Sequence, residues 1–260
     1  MSGLCPGGAG RVGTVTVVSS VDDEVIADLV PGGVLRAAIN LGNPVLAQGT
    51  ASAPTGVTVD IARELGARLG VPVDLACFGA ARESFEAMAR GDAGICFLAI
   101  EPARAAQVAF TAPYVVIEGV YVVPADSGLT APADVDAEGV RIGVNEGSAY
   151  DLFLSRTLQR ARLVRGEDGI GLFRGQGLEA AAGIRQVVGE FTARTPGFRM
   201  IDEGFMQIRQ ALGTTRTRAP ATVRFLAVFI EELKASGFIG DALRRSGQDR
   251  ALVAPPGAVS

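Results

Sequence analysis

Arg104 sits in the stretch of this 260-residue chain that says most about chemistry. Residues 97–114 read as the end of an apolar strand, a tight turn and a short helix carrying that arginine. A second apolar strand follows, entered through Ala112-Pro113-Tyr114. The flanking Ala103, Ala105 and Ala106 are small and leave the guanidinium to be fixed by the tertiary structure. A guanidinium is a rigid, charged fork of donors; the plain alternative is a solvated side chain. Two carboxylates stand out as well. Glu118 interrupts an apolar run, and Glu146 immediately precedes a helix start. There are no histidines, and the three cysteines, Cys5, Cys77 and Cys96, have spacings that suit no metal site. Serine–histidine and cysteine–histidine catalysis are therefore excluded, and no cofactor is expected. Cys77 and Cys96 lie in apolar runs and read as small buried thiols; a disulfide between them requires neighbouring strands.

The elements that position these groups follow a regular order. A strand is expected over residues 34–40, then a turn at Gly42-Asn43-Pro44. Ile61, Leu65 and Leu69 fall at helical spacing, with Gly70 closing that helix. A strand over 72–78, a helix over 83–90 and a strand over 93–99 follow. This β-α-β-α-β order implies a parallel sheet, in which binding residues collect at the carboxyl ends of strands. Residues 111–124 and 205–212 are long extended runs, candidate crossovers. Between them come a strand over 140–145, a helix over 151–158 and short strands over 178–182 and 198–201. Residues 220–236 form a helix with Val223, Leu226, Ile230 and Leu233 on one stripe, and 238–245 add a last helix. Residues 1–32 are a weakly specified leader, with one or two helical turns over 21–29.

The chain is long enough for two lobes, and an apolar fraction of 48% supports a well-buried globular protein. A net charge of −4 without a basic block argues against a nucleic-acid partner. No apolar run reaches membrane-spanning length. Residues 1–10 are glycine-rich and 12–18 are too short and polar for a secretory apolar segment, so no signal peptide is recognisable.

The run Glu101-Pro102-Ala103-Arg104 through Phe110-Thr111-Ala112-Pro113-Tyr114 resembles the ligand-cleft segment of family 3 extracellular solute-binding proteins, the amino-acid-binding components of ABC importers. Further matching pieces are the helix over 56–71, Ala89-Arg90-Gly91-Asp92-Ala93-Gly94, the run over 128–151 and the C-terminal helices, so the resemblance covers roughly 33–248. It implies an α/β, two-lobed periplasmic binding protein type 2 fold with two hinge strands. Lobe 1 would take 33–113 plus 214–260, the hinges 114–126 and 204–213, and lobe 2 127–203. It also implies a small carboxylate ligand, an ABC permease as partner, a monomer and a periplasmic or cell-surface location. With no recognisable signal peptide, a cytoplasmic location stays open.

By the same resemblance Arg104 holds the ligand carboxylate in a two-pronged contact, helped by amides around Leu98, Ala99 and Ile100. The family's pocket serines fall on Cys96, Phe97 and Ala99, so those hydroxyls are missing. From the second lobe, a helix start offers N–H groups at Ser148 and Ala149 to the same anion; Ser148 equally reads as a helix cap. The aspartate that binds the ligand's amino group falls on Ile184, and a buried ammonium without a partner is costly. Glu118 and Glu146 are the candidate replacements, although Glu118 also reads as paired with Arg209. Arg185, beside Ile184, would make the pocket anion-selective if it faces the cleft. Asn40 and Asn43 fall where the family places a ligand-facing polar group and a lid, and Tyr150 is a stacking or hydrogen-bonding wall; Asn43 also reads as a turn residue. A non-enzymatic binding protein is the favoured reading. The alternatives are a cyclohexadienyl dehydratase-like enzyme with Glu118 or Glu146 as the acid, and an orphan ligand sensor.

Overall fold

The computed structural model describes residues 21–257. The chain begins with α1 (Asp23–Leu29), β1 (Leu35–Asn40), a hairpin of β2 (Gln48–Thr50) and β3 (Ala53–Thr55), and α2 (Val57–Leu69). Next come β4 (Val73–Phe78), α3 (Ala81–Arg90), β5 (Ile95–Ala99), α4 (Pro102–Ala105) and β6 (Val108–Phe110). A long strand, β7 (Val115–Pro124), leads to α5 (Pro132–Val135), β8 (Arg141–Asn145), α6 (Ala149–Thr157), β9 (Arg162–Gly166), α7 (Gly169–Gln176), β10 (Ala180–Ile184), α8 (Arg185–Arg194) and β11 (Phe198–Met200). The chain returns through β12 (Met206–Thr215) to α9 (Pro220–Ala235) and α10 (Phe238–Arg245).

Ten strands share one sheet, whose main path runs β4-β1-β5-β12-β7-β10-β8-β9. β4, β1 and β5 are parallel to one another, as are β10, β8 and β9. Between the two sets β7 and β12 run antiparallel, from Met206 opposite Gly119 to Gln210 opposite Val115. β7 carries the chain out of the first set and β12 brings it back, so the molecule is two α/β lobes joined by two crossing strands. This is the type 2 binding-protein architecture.

Helices cover both faces of each parallel set, so β5 is buried at every position and reads as an unbroken apolar run. α3 packs on one face, around Ala38, Met88, Cys96 and Leu98. α2, α9 and α10 pack on the other, where Ile61, Leu65, Leu226 and Ile230 bury the apolar stripes that their helical spacing foretells. In the second lobe α7 and α8 enclose Val120, Phe173, Ala181 and Val188. α7 approaches β8 so closely that a Cβ on Gly143 would collide with the Gly169 carbonyl. α1 lies against α9, where Asp28 accepts from the Thr222 hydroxyl at 2.6 Å and the Ala219 N–H at 3.0 Å.

The condition for a disulfide between Cys77 and Cys96, neighbouring strands, is not met. β1 lies between the strands of Cys77 and Cys96, and the two thiols face opposite sides of the sheet. Cys77 pairs in register with Ile39, and Cys96 with Ala38, the next residue along β1. Two strand spacings are roughly 10 Å, beyond the reach of a disulfide, and both thiols are free. Cys5 lies outside the described residues.

Candidate functional site

The loop after β5 turns into α4 through Glu101-Pro102, and this sharp exit places Arg104 behind the strand's carboxyl end. Its side chain is 2% exposed. Nη1 donates to the Ala99 carbonyl at 3.3 Å, and Nη2 donates to the Gly147 carbonyl of the opposite lobe at 2.8 Å. No carboxylate among the described residues lies within ion-pairing distance of the guanidinium. Glu101, the nearest acid in sequence, is itself taken by Arg156 of α6 at 2.6 Å. Burial pulls the Arg104 pKa down to about 10, with the Glu101 charge opposing it, so the group stays charged at neutral pH. A buried cation satisfied only by carbonyl dipoles is a strong attractor for an anion.

Arg104 forms part of the wall of a cavity of about 280 Å³ between the lobes. The first lobe contributes Leu98 and Ala99, the loop after β1 with Asn40 and Asn43, and the start of α3. Ile208 and Gln210 come from β12, while Asn145, Glu146, Ser148, Ala149, Tyr150, Glu167 and Ile184 come from the second lobe. The turn before α6 is held rigidly. Asp151 accepts the Gly147 N–H at 2.9 Å and the Arg165 Nε at 2.9 Å, which aims the Gly147 carbonyl at Arg104. Gly147 adopts φ +69°, and a Cβ there would lie 2.9 Å from the Arg82 Cβ across the cleft.

Ten of the thirteen residues singled out from the sequence line this cavity: Asn40, Asn43, Leu98, Ala99, Arg104, Glu146, Ser148, Ala149, Tyr150 and Ile184. Their detailed parts differ from expectation in places. The Ser148 N–H is used by the Asn145 carbonyl at 3.1 Å, and its hydroxyl caps α6 by accepting from Asp151 N at 3.1 Å. Ala149 N–H opens the helix and has no intrahelical acceptor. Asn40 and Asn43 spend their side-chain oxygens on the turn, accepting from Gly42 N and Val45 N. Burial pushes the Tyr150 phenol up to about 12, so it is a protonated donor at the wall.

Three residues lie elsewhere. Phe97 points into the core, edge-on to Tyr114 at 6.1 Å, because neighbouring residues on a strand face opposite sides. Glu118 and Arg185 pair with each other at 2.5 Å on the outside of β7. Glu118 therefore does not line the cavity and does not pair with Arg209, which stands opposite Val116. Arg185, the first residue of α8, points away from the cavity that Ile184 lines.

Sequence reasoning passed over Arg82, Glu83, Glu167 and Gln210. Two signals could have found them. Arg82-Glu83 and Glu167 follow strand ends at the sheet's ligand-facing edge, and Gln210 is a buried polar residue, 6% exposed, in an otherwise apolar crossover.

Among solved structures the fold recurs in amino-acid-binding proteins. An ancestral amino-acid-binding protein, a precursor of cyclohexadienyl dehydratase, matches with a TM-score of 0.71 at 16% identity, covering 85% of this chain and 97% of that one. A putative ABC-transporter binding component from Wolinella succinogenes, complexed with lysine, matches with a TM-score of 0.70 at 17% identity over 82% and 95% of the two chains. The solute receptor for L-cysteine of Neisseria gonorrhoeae gives 0.71 at 20% identity over 85% and 92%. No curated protein sequence matches. The profile of the bacterial extracellular solute-binding proteins, family 3, matches residues 35–246, and the chain belongs to that family.

Proposed function

We propose that this protein captures a small carboxylate-bearing solute between its lobes and hands it to an ABC importer. The observation that carries this reading is Arg104, a buried guanidinium in the cavity wall with no anionic partner among the described residues. The start of α6 adds the Ala149 N–H and the positive end of the helix dipole on the facing wall.

The lysine- and cysteine-binding relatives make amino acids the first ligands to consider, but Ile184 leaves the α-ammonium of such a ligand without an acid at the inner wall. A carboxylate lacking an α-ammonium fits better, because it leaves no charge unpaired. Residues 33–113 with the described part of 214–260 form one lobe, 127–203 the other, and 114–126 with 204–213 the hinge about which they close. The partner is then an ABC permease, met by a monomer at the outer face of the membrane; among the described residues no helix is long and apolar enough to cross one. The dehydratase reading finds less support. Glu118 is paired with Arg185 outside the cavity, and Glu146 stands exposed at its mouth, so neither is enclosed beside a bound substrate.

A thermal-shift screen of amino acids, dicarboxylates and monocarboxylates, followed by calorimetry, tests this, since a ligand of the folded state raises apparent stability. Arg104→Ala should weaken the best carboxylate by about 2 kcal/mol or more. Unchanged affinity would remove Arg104 from the site.

A further inference from the structure

We infer that the ligand is a two-ended zwitterion: a carboxylate at Arg104 joined by an apolar chain to an ammonium or guanidinium at the cavity mouth. This deepens the reading of Arg104 as the carboxylate anchor and rests on it.

The cavity is graded in both burial and charge. Its inner wall holds Arg104, Leu98, Ile208 and Gln210, all 6% exposed or less. Its mouth carries three exposed carboxylates, Glu83, Glu146 and Glu167. The topology separates the two ends. Arg104 follows β5, beside the central crossing strands, whereas Glu83 follows β4 at one edge of the sheet and Glu167 follows β9 at the other. β4 lies two strands out from β5, and β9 two strands out from β10, whose last residue is Ile184. At about 4.8 Å per strand, the strand that leads to Glu83 lies roughly 10 Å from that of Arg104, and the strand that leads to Glu167 roughly 10 Å from that of Ile184.

The mouth is also short of positive charge. Among the described residues its one basic side chain, Arg82, is paired with Glu86 at 3.1 Å. Glu83 accepts the Gly79 N–H at 3.0 Å, and none of Glu83, Glu146 and Glu167 has an ion-pair partner among the described residues. A solute reaching from centre to mouth therefore meets a buried cation, then Ile184, Ile208 and Leu98, then a group of anions. A second carboxylate would be repelled there. An α-ammonium would fall beside Ile184 instead, too deep for the glutamates to reach.

Calorimetry with 6-aminohexanoate, hexanoate, L-lysine and adipate separates these effects, because the four share one carbon backbone. The expected result is that 6-aminohexanoate binds about tenfold more tightly than hexanoate, which lacks the distal cation, and more tightly than L-lysine, which adds the α-ammonium. Adipate should be the weakest. In Glu83→Gln/Glu146→Gln/Glu167→Gln, a surface variant whose folding is checked by its melting curve, the advantage over hexanoate should vanish while hexanoate affinity is kept. Hexanoate or adipate binding as tightly as 6-aminohexanoate, or an advantage that survives the triple change, overturns the inference and leaves the carboxylate anchor standing. If no carboxylate binds at all, the Arg104 reading falls and this inference falls with it.

Discussion

Arg156 of the second lobe reaches the carboxylate of Glu101 in the first, with Nη1 2.6 Å from Oε2. The Glu101 side chain is 5% exposed while Arg156 is 41% exposed, so one end of the pair is buried and the other wet. It stands beside the contact from Arg104 to the Gly147 carbonyl, and together the two tie the lobes on the floor side of the cavity. Neither Glu101 nor Arg156 lines the cavity itself, so the pair bridges the lobes without touching the cavity.

Arg156→Ala leaves a buried carboxylate without its ion-pair partner. The expected cost is about 1–3 kcal/mol, reduced from that of a fully buried pair by the exposure of Arg156. Ligand affinity should drop, and solution scattering should show a larger radius of gyration than for the unmodified protein. An unchanged radius with unchanged affinity would show that the pair does not hold the lobes.

Gly147→Ala tests the same closure from the backbone. The positive φ of Gly147 costs a non-glycine residue about 1–2 kcal/mol, and the added Cβ meets Arg82 across the cleft. Denaturant titration should show the loss, and pairing with Arg82→Ala should recover only the part of the collision due to the Arg82 Cγ and Cδ, because alanine keeps the Cβ that lies nearest.

Ile184→Asp should move preference from plain carboxylates toward α-amino acids, by putting an acid on the inner wall. It should also lower the stability of the ligand-free protein by about 1–3 kcal/mol, through burial of an unpaired polar group. Competition calorimetry with hexanoate and L-lysine reads the switch; an unaltered preference would mean that the ligand does not pass Ile184.

Asp28 links stability to acid pH. Burial tends to raise its pKa, but the bonds from Thr222 and Ala219 and the charge of Arg218 outweigh this and lower it below its ordinary 3.8. A carboxylate depressed in the folded state binds its proton more readily when unfolded. Its contribution is therefore fully present above pH 3.8 and is lost as pH falls through the lower folded value. Asp28→Asn should cost about 1 kcal/mol at pH 7 and progressively less below pH 3.8, measured by thermal unfolding across that range. An equal loss at both ends would show that the hydrogen bonds, not the charge, hold α1 to α9.

Much of this architecture is already legible in the sequence, because local patterning and burial agree. Ile61, Leu65 and Leu69 mark α2, the stripe from Val223 to Leu233 marks α9, and the apolar run that ends at Ala99 marks β5; each is dictated by residue spacing alone. Arg104 belongs to the same class, since its small neighbours leave the guanidinium to be fixed by the tertiary structure. What failed to show in the sequence was decided by contacts between distant segments. α7 contains Gly169, Gly171 and Gly175, poor helix formers, and it forms because Gly143 and Gly169 let it press against β8. α8 starts at Arg185 without a side-chain cap, so nothing local announces it. The separation of Cys77 from Cys96 depends on β1 entering between their strands, a matter of topology. Glu118 finds Arg185 from another strand end, although both had seemed to bear on the cleft. The acidic mouth is likewise assembled from sheet edges more than eighty residues apart in sequence, and a linear chain carries no local record of which exposed glutamates will face one another across a cavity.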